Sequence, residues 1–264
     1  PYVVFNLNGW QRSEVVEATV WDTNWDKDRI CVDDGEGNVR AAQVIDEGHY
    51  WGHTWVKVAF PTGKLPAMGY RTYILREGVA DPVEPLGHPE RGVVENEFVR
   101  VEVDWTTGGI KSLVDKTTGN ELADPANPMG LFEFAVERDH GMSAWVIGDI
   151  KSSRMLAEIE QVDVKSGSYK TVFTSTIKVA ESRVVAETIV RAGDPSVELN
   201  IAVNWVERGY PERGVPMLRL HIPTALDAVT PRYEIPYGTI TRGLTGGEEV
   251  PSQRFCDLAG SDAG

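Results

Sequence analysis

The sequence predicts an all-β protein, a smaller β-sandwich followed by a larger one, and three observations carry that prediction. Apolar and polar residues alternate with a period of two over many short segments. Gly-rich turns fall between those segments, and no long amphipathic helical pattern interrupts them. A stretch rich in proline and glycine then divides the chain near its first third.

Residues 1–78 are assigned to the smaller sandwich. Gly78-Val-Ala-Asp-Pro-Val-Glu-Pro-Leu-Gly-His-Pro-Glu-Arg-Gly92 carries three prolines and three glycines. Proline removes strand donors and fixes φ, so a linker is placed at 79–92 and the larger sandwich at 93–264. Val99–Trp105 alternates, with Arg100, Glu102 and Asp104 on the wet face. Thr106-Thr-Gly-Gly109 turns it into Ile110–Val114, and Asp115-Lys-Thr-Thr-Gly119 ends that hairpin arm. Phe173, Ile177 and Val179 oppose Thr174, Thr176 and Lys178, and Val184–Val190 is a further strand. In Val197–Trp205 the five odd-numbered residues are apolar, which implies one packed face and an antiparallel sheet. Tyr233–Arg242 reads as a strand running into a Gly-rich turn, with Glu249–Gly260 emerging from it. The sequence stops on Ser261-Asp-Ala-Gly264 with nothing to close the sheet, so an open edge and a piece of a larger enzyme are expected.

The formal net charge of -14 disfavours nucleic acid and anionic membrane as partners, because phosphates need clustered Lys and Arg. It suits neutral ligands such as sugars. Cys31 and Cys256 lie far apart without metal-ligand spacing, so both read as free thiols, and a reducing, cytoplasmic location is expected. No apolar run is long enough to span a bilayer, and no signal peptide is recognisable. The sequence opens on Pro1 without an initiating Met, which leaves room for a targeting segment upstream.

His49 and His53 are four apart, a metal-pair spacing on a helix, but Gly48, Gly52 and the neighbouring aromatics argue for strand or loop. Along one strand the two would stand roughly 13 Å apart, too far to share an ion. Asp22–Asp28 and Asp33–Asn38 are rich in carboxylates, yet Lys27 stands where a calcium loop needs glycine, so solvated turns are the reading. No G-x-S-x-G, P-loop or G-x-G-x-x-G is present, and no catalytic residue or metal ligand is assigned. The best ligand surface is Phe132–Gly148, read as a Gly-bounded loop. Its Glu137, Arg138, Asp139, His140 and Trp145 supply the hydroxyl-binding groups and the stacking ring that a sugar requires. A structured loop with Trp145 in the core is the competing reading.

These segments resemble the C-terminal β-region of glycoside hydrolase family 38 α-mannosidases. Val3-Val-Phe-Asn-Leu-Asn-Gly-Trp10 is similar to that region's opening strand, with Leu-Asn-Gly in place of Pro-Leu-Ser. Asn96–Asp104 and Gly108–Leu122 resemble its hairpin, Asn204-Trp-Val-Glu-Arg208 its Asp-Trp-His-Glu-Arg, and Ile235–Arg242 with Glu249–Leu258 its closing segments.

The resemblance implies an immunoglobulin-like sandwich followed by a super-sandwich akin to galactose mutarotase. It implies a retaining, zinc-dependent exo-α-mannosidase whose nucleophilic aspartate and zinc lie on an N-terminal barrel, so this chain is expected to hold no cofactor and to be inactive alone. Through that barrel the partner is an α-mannoside. Around Met142–Trp145 the family carries an aromatic loop facing the active site; here Ser143 and Val146 replace its two acids. Trp145, His140 and Arg242 are the substrate-binding candidates. Two other readings stand beside this one. The first is a stand-alone carbohydrate-binding or scaffold module using Trp10, Trp21, Trp25, Trp51, Trp55 or Trp145. The second is a mutarotase-like or lyase-like site built on His140 and His221. Linkage preference, aglycone and oligomeric state stay open.

Overall fold

The computed structural model describes residues 1–227, 229–243 and 249–260. Seven strands build the first sandwich: β1 (Tyr2–Asn6), β2 (Val15–Trp21), β3 (Ile30–Asp33), β4 (Val39–Ala41), β5 (Gln43–Tyr50), β6 (His53–Pro61) and β7 (Gly69–Glu77). They form one sheet in the order β1-β7-β3-β4 and a second in the order β2-β6-β5. Alternation decides what fills the gap between them: Val56, Val58 and Phe60 from one sheet meet Ile30, Val32, Tyr73 and Leu75 from the other. The Phe60 and Tyr73 rings stand 5.4 Å apart, and the Tyr73 hydroxyl donates to the Thr62 carbonyl at 2.7 Å, so its polar end is satisfied inside the core.

The second body uses β8 (Val93–Glu95), β9 (Val99–Val103), β10 (Ile110–Asp115), β11 (Leu131–Glu137), β12 (Ile150–Leu156), β13 (Gln161–Lys165) and β14 (Lys170–Val179). It continues through β15 (Ser182–Arg191), β16 (Val197–Asn204), β17 (Val215–His221), β18 (Thr230–Ile235), β19 (Gly238–Thr241) and β20 (Cys256–Ala259). Its principal sheet, β13-β14-β15-β16, contains two ten-residue strands and packs against two shorter sheets. Phe173 and Val190 meet Val99, Val101 and Val103 of β10-β9-β8, while Ile177, Val179 and Val184 meet Phe132 and Leu156 of β12-β11-β17. The hairpin β18-β19, extended by β20, completes the described strands. Every strand pair among the described residues is antiparallel, and the helical content there is two single 3-10 turns, Lys27–Arg29 and Pro89–Arg91.

The two bodies are joined by side chains. The Gln43 carboxamide accepts from the Tyr169 and Lys170 amides at 2.9 and 2.8 Å and donates to the Lys170 carbonyl at 2.7 Å. Beside it, Glu17 holds Lys170 at 2.6 Å and Lys57 at 2.5 Å. Burial pushes the Glu17 carboxyl up, but the two lysines outweigh it and hold the group below its ordinary value. Residues 79–88 carry no strand; the Leu86 amide donates to the Gly167 carbonyl at 3.1 Å and the Ser168 hydroxyl to the Val83 carbonyl.

Three details differ from the sequence reading. His49 and His53 do not lie along one strand: they sit on β5 and β6, on either side of a two-residue turn in which Trp51 and Gly52 both adopt positive φ. Phe132–Gly148 is not one loop, because β11 pairs residue for residue with β17 from Leu131 to Glu137, with a register shift against β12 at Val136/Glu137. Tyr233–Arg242 turns back within itself at Tyr237 (φ 65), so β18 and β19 pair before the Gly-rich stretch is reached. That stretch, 244–248, and the closing Ser261–Gly264 lie outside the described residues.

Candidate functional site

Strand β11 puts two glutamates on the face opposite its phenylalanines. Glu133 and Glu137 share that face with Arg219 and His221 of the neighbouring β17, because Glu133 pairs with Arg219 and Leu131 with His221. An open groove of about 920 Å³ runs along β17, lined by Arg219, His221, Glu137, Ser143, Ile147 and Glu249 among others.

The groove is wired by charge. The Glu133 carboxylate lies 3.1 Å from His221 Nε2 and 3.8 Å from Arg219 Nη1, and the other guanidinium nitrogen reaches Glu249 at 3.0 Å. Glu133 is held below its ordinary pKa by a hydrogen bond from Ser153, against the opposing effect of burial, with further help from His221 and Arg219. It is therefore a carboxylate at neutral pH. Glu137, whose side chain is 1% exposed, accepts from the Gly148 amide at 2.7 Å, from His140 Nε2 at 2.7 Å and from the Ser143 hydroxyl at 3.2 Å. The Gly148 amide is the main cause of its lowered pKa; burial opposes the shift, and His140 and Ser143 add to it.

Glu137 thus closes the loop 138–149 upon itself. His140 Nε2 also faces the Val146 carbonyl at 3.1 Å, and two acceptors at one ring nitrogen require that nitrogen to carry the proton. Ser143 bonds to the glutamate and not to the histidine, so no nucleophile–base pair forms. Gly214 (φ +93) sits where a Cβ would meet the Glu137 carbonyl at 2.3 Å, so only glycine allows the β17 approach to pass this close.

Of the three residues chosen from the sequence, His140 is tied to Glu137, Trp145 is 77% exposed on the loop, and Arg242 is engaged by Tyr233 (5.1 Å to the ring centroid) and by the Pro251 carbonyl at 2.8 Å. None of the three lines the groove; its loop contribution is Ser143 and Ile147. The exposure of Trp145 sets aside its reading as core. Glu133, Arg219 and Glu249 escaped the sequence reading. The signal for Arg219 was present in Leu218-Arg-Leu-His221, where polar residues alternate with leucines and so share one wet face. The arrangement can hold hydroxyl groups between carboxylate and guanidinium, and neither Glu133 nor Glu137 is a proton donor at neutral pH.

The structure of an alpha-mannosidase from Enterococcus faecalis V583 superposes with a TM-score of 0.70 at 15% identity, covering 96% of this chain and 35% of that protein. A glycosyl hydrolase family 38 protein from Enterococcus faecalis gives a TM-score of 0.68 at 15% identity, covering 91% of this chain and 34% of the other. The chain spans about a third of the length of these structures. No curated protein matches it. The family model described as glycosyl hydrolases family 38 C-terminal domain matches residues 94–264, the larger β-body from within β8 onward. With an all-β fold shared along nearly its full length with solved members, the chain belongs to glycosyl hydrolase family 38 as part of its C-terminal region.

Proposed function

We propose that this chain is the β-rich bracing portion of a retaining, zinc-dependent exo-α-mannosidase, and that its polar groove and loop 138–149 line the rim of the mannose pocket. The observation that carries the reading is the coverage: 96% of the chain finds its place in an alpha-mannosidase structure of which it accounts for 35%. In such an enzyme the nucleophilic aspartate and the metal reside on the barrel. Among the described residues no three His, Cys, Asp or Glu side chains stand close enough to share a metal ion.

The chain's own contribution is positional. Arg219 and His221 present donors into the groove, Glu249 presents an acceptor, Glu133 holds His221 and Arg219 in place, and Glu137 fixes the loop that forms one wall. Neither Glu133 nor Glu137 serves as the proton donor to a glycosidic oxygen near neutral pH, since both are held ionised. Incubation of purified 1–264 with p-nitrophenyl α-D-mannopyranoside tests the assignment. No p-nitrophenol above a heat-killed control is expected; steady release would overturn it.

A further inference from the structure

The outer face of the β2-β6-β5 sheet is used twice along its length. At one end Glu17 and Gln43 join the larger body, with Lys57 beside Glu17. At the other end the face is open and aromatic. The register sets Trp21, Trp55 and Gly48 in one row across three strands, with His53 and Tyr50 in the next. Gly48 is the floor of this row: a Cβ there would lie 2.7 Å from Trp55 Cζ2 and 2.9 Å from Cε2, so the absence of a side chain is what lets the indole lie over the neighbouring strand. Trp21 stands beside it with ring centroids 6.5 Å apart and planes inclined at 57°, which makes an angled cradle of two indoles. Trp21 is 49% exposed and Tyr50 64%.

One end of the cradle is polar. Asp22 follows Trp21 in the left-handed region (φ 53), where its amide donates to the Thr54 carbonyl at 2.8 Å and its Oδ1 accepts from the Thr54 amide at 3.0 Å. That geometry aims Oδ2 at His53 Nδ1, 2.7 Å away. The core of this sandwich lies on the opposite face, formed by Val56, Val58 and Phe60, so these aromatic rings lie outside it.

We infer that this cradle is a carbohydrate-binding site that takes one pyranose ring of a neutral glycan. The C–H face of a pyranose is apolar and matches an indole in size, while its hydroxyls match a carboxylate and an imidazole set at the ring's edge. A net charge of -14 works against an anionic occupant. The inference goes beyond the mannosidase reading, since binding here needs neither a barrel nor hydrolysis, and either can fail without the other.

Intrinsic tryptophan fluorescence of the chain, titrated with methyl α-D-mannopyranoside, methyl β-D-glucopyranoside, yeast mannan and cellohexaose, tests it. Saturation by at least one of these is expected, with an apparent Kd on the order of millimolar or below, raised at least about tenfold by Trp55→Ala and also weakened by Asp22→Asn. Trp10→Ala, on an exposed ring elsewhere, leaves the curve unchanged. Circular dichroism reports whether Trp55→Ala is folded; Tyr50→Ala, at an exposed ring, and Asp22→Asn decide the matter if it is not. Flat traces with all four sugars up to about 50 mM, or saturation indifferent to Trp55→Ala, Tyr50→Ala and Asp22→Asn, would overturn the proposal.

Discussion

Glu137 shows how much a single carboxylate can organise. Buried at the end of β11, it gathers the Gly148 amide, the His140 ring and the Ser143 hydroxyl, and so converts a glycine-bounded stretch into a defined wall of the groove. Its ordinary value of 4.5 is lowered in the folded chain. The depressed group therefore contributes stability in full above the unfolded value, and that contribution disappears as pH falls through the folded one. Thermal melts of the native chain and of Glu137→Gln, recorded across pH, should differ by a constant amount above about pH 5 and converge at more acidic values. A difference that persists unchanged into acid would mean that Glu137 acts through shape and not through charge. The sequence displayed this glutamate among 40 acids. Its role was hidden because a carboxylate's function depends on which amides converge on it, and convergence is a property of three-dimensional space.

Strands were largely legible because period-two alternation is a direct record of burial: β9 and β14 were read with the correct residues inward, and β16 as far as Ile201, while Val203, read as packed, is 44% exposed. Turns were less so. The Trp51-Gly52 and Pro236-Tyr237 reversals place non-glycine residues at positive φ, and neither Trp nor Tyr announces that conformation. The junction between the bodies was invisible, since its central contacts, Gln43 and Glu17, meet Tyr169 and Lys170 more than a hundred residues later. Gln43→Ala strands two amide donors and a carbonyl, which should cost about 1–3 kcal/mol by urea unfolding. Gly167→Ala should reproduce much of that loss, because a Cβ at Gly167 would fall 2.1 Å from the Gln43 carboxamide and expel it. Wild-type midpoints in both variants would show that the amide latch is incidental.

At the scale of the molecule, chemistry is distributed unevenly. The larger body carries a charged groove lined by Arg219, Glu137 and Glu249, while the smaller carries an aromatic cradle closed by Asp22 and His53. The acidity read from composition agrees with both, since each feature presents acceptors and neither collects unpaired cations. The groove was only partly legible in the sequence. His140 and Trp145 lie on the loop that forms one wall, but that loop lines the groove with Ser143 and Ile147, and its other residues come from β11, β17 and the segment at Glu249, neighbours that sequence separation conceals.

The two ten-residue ribbons at the centre of the larger body have a mechanical consequence. Phe173 and Ile177 are four residues apart on the same strand, yet they serve different interiors. A plank shared by two rooms cannot be lifted from one alone. Trp105, edge-on to Phe173 at 5.9 Å, and Trp205, 6.1 Å from Phe134, are natural reporters of the two compartments. Variants retaining only one of these indoles should therefore lose their emission signal at a common denaturant concentration, and separate midpoints would show that the plank bends.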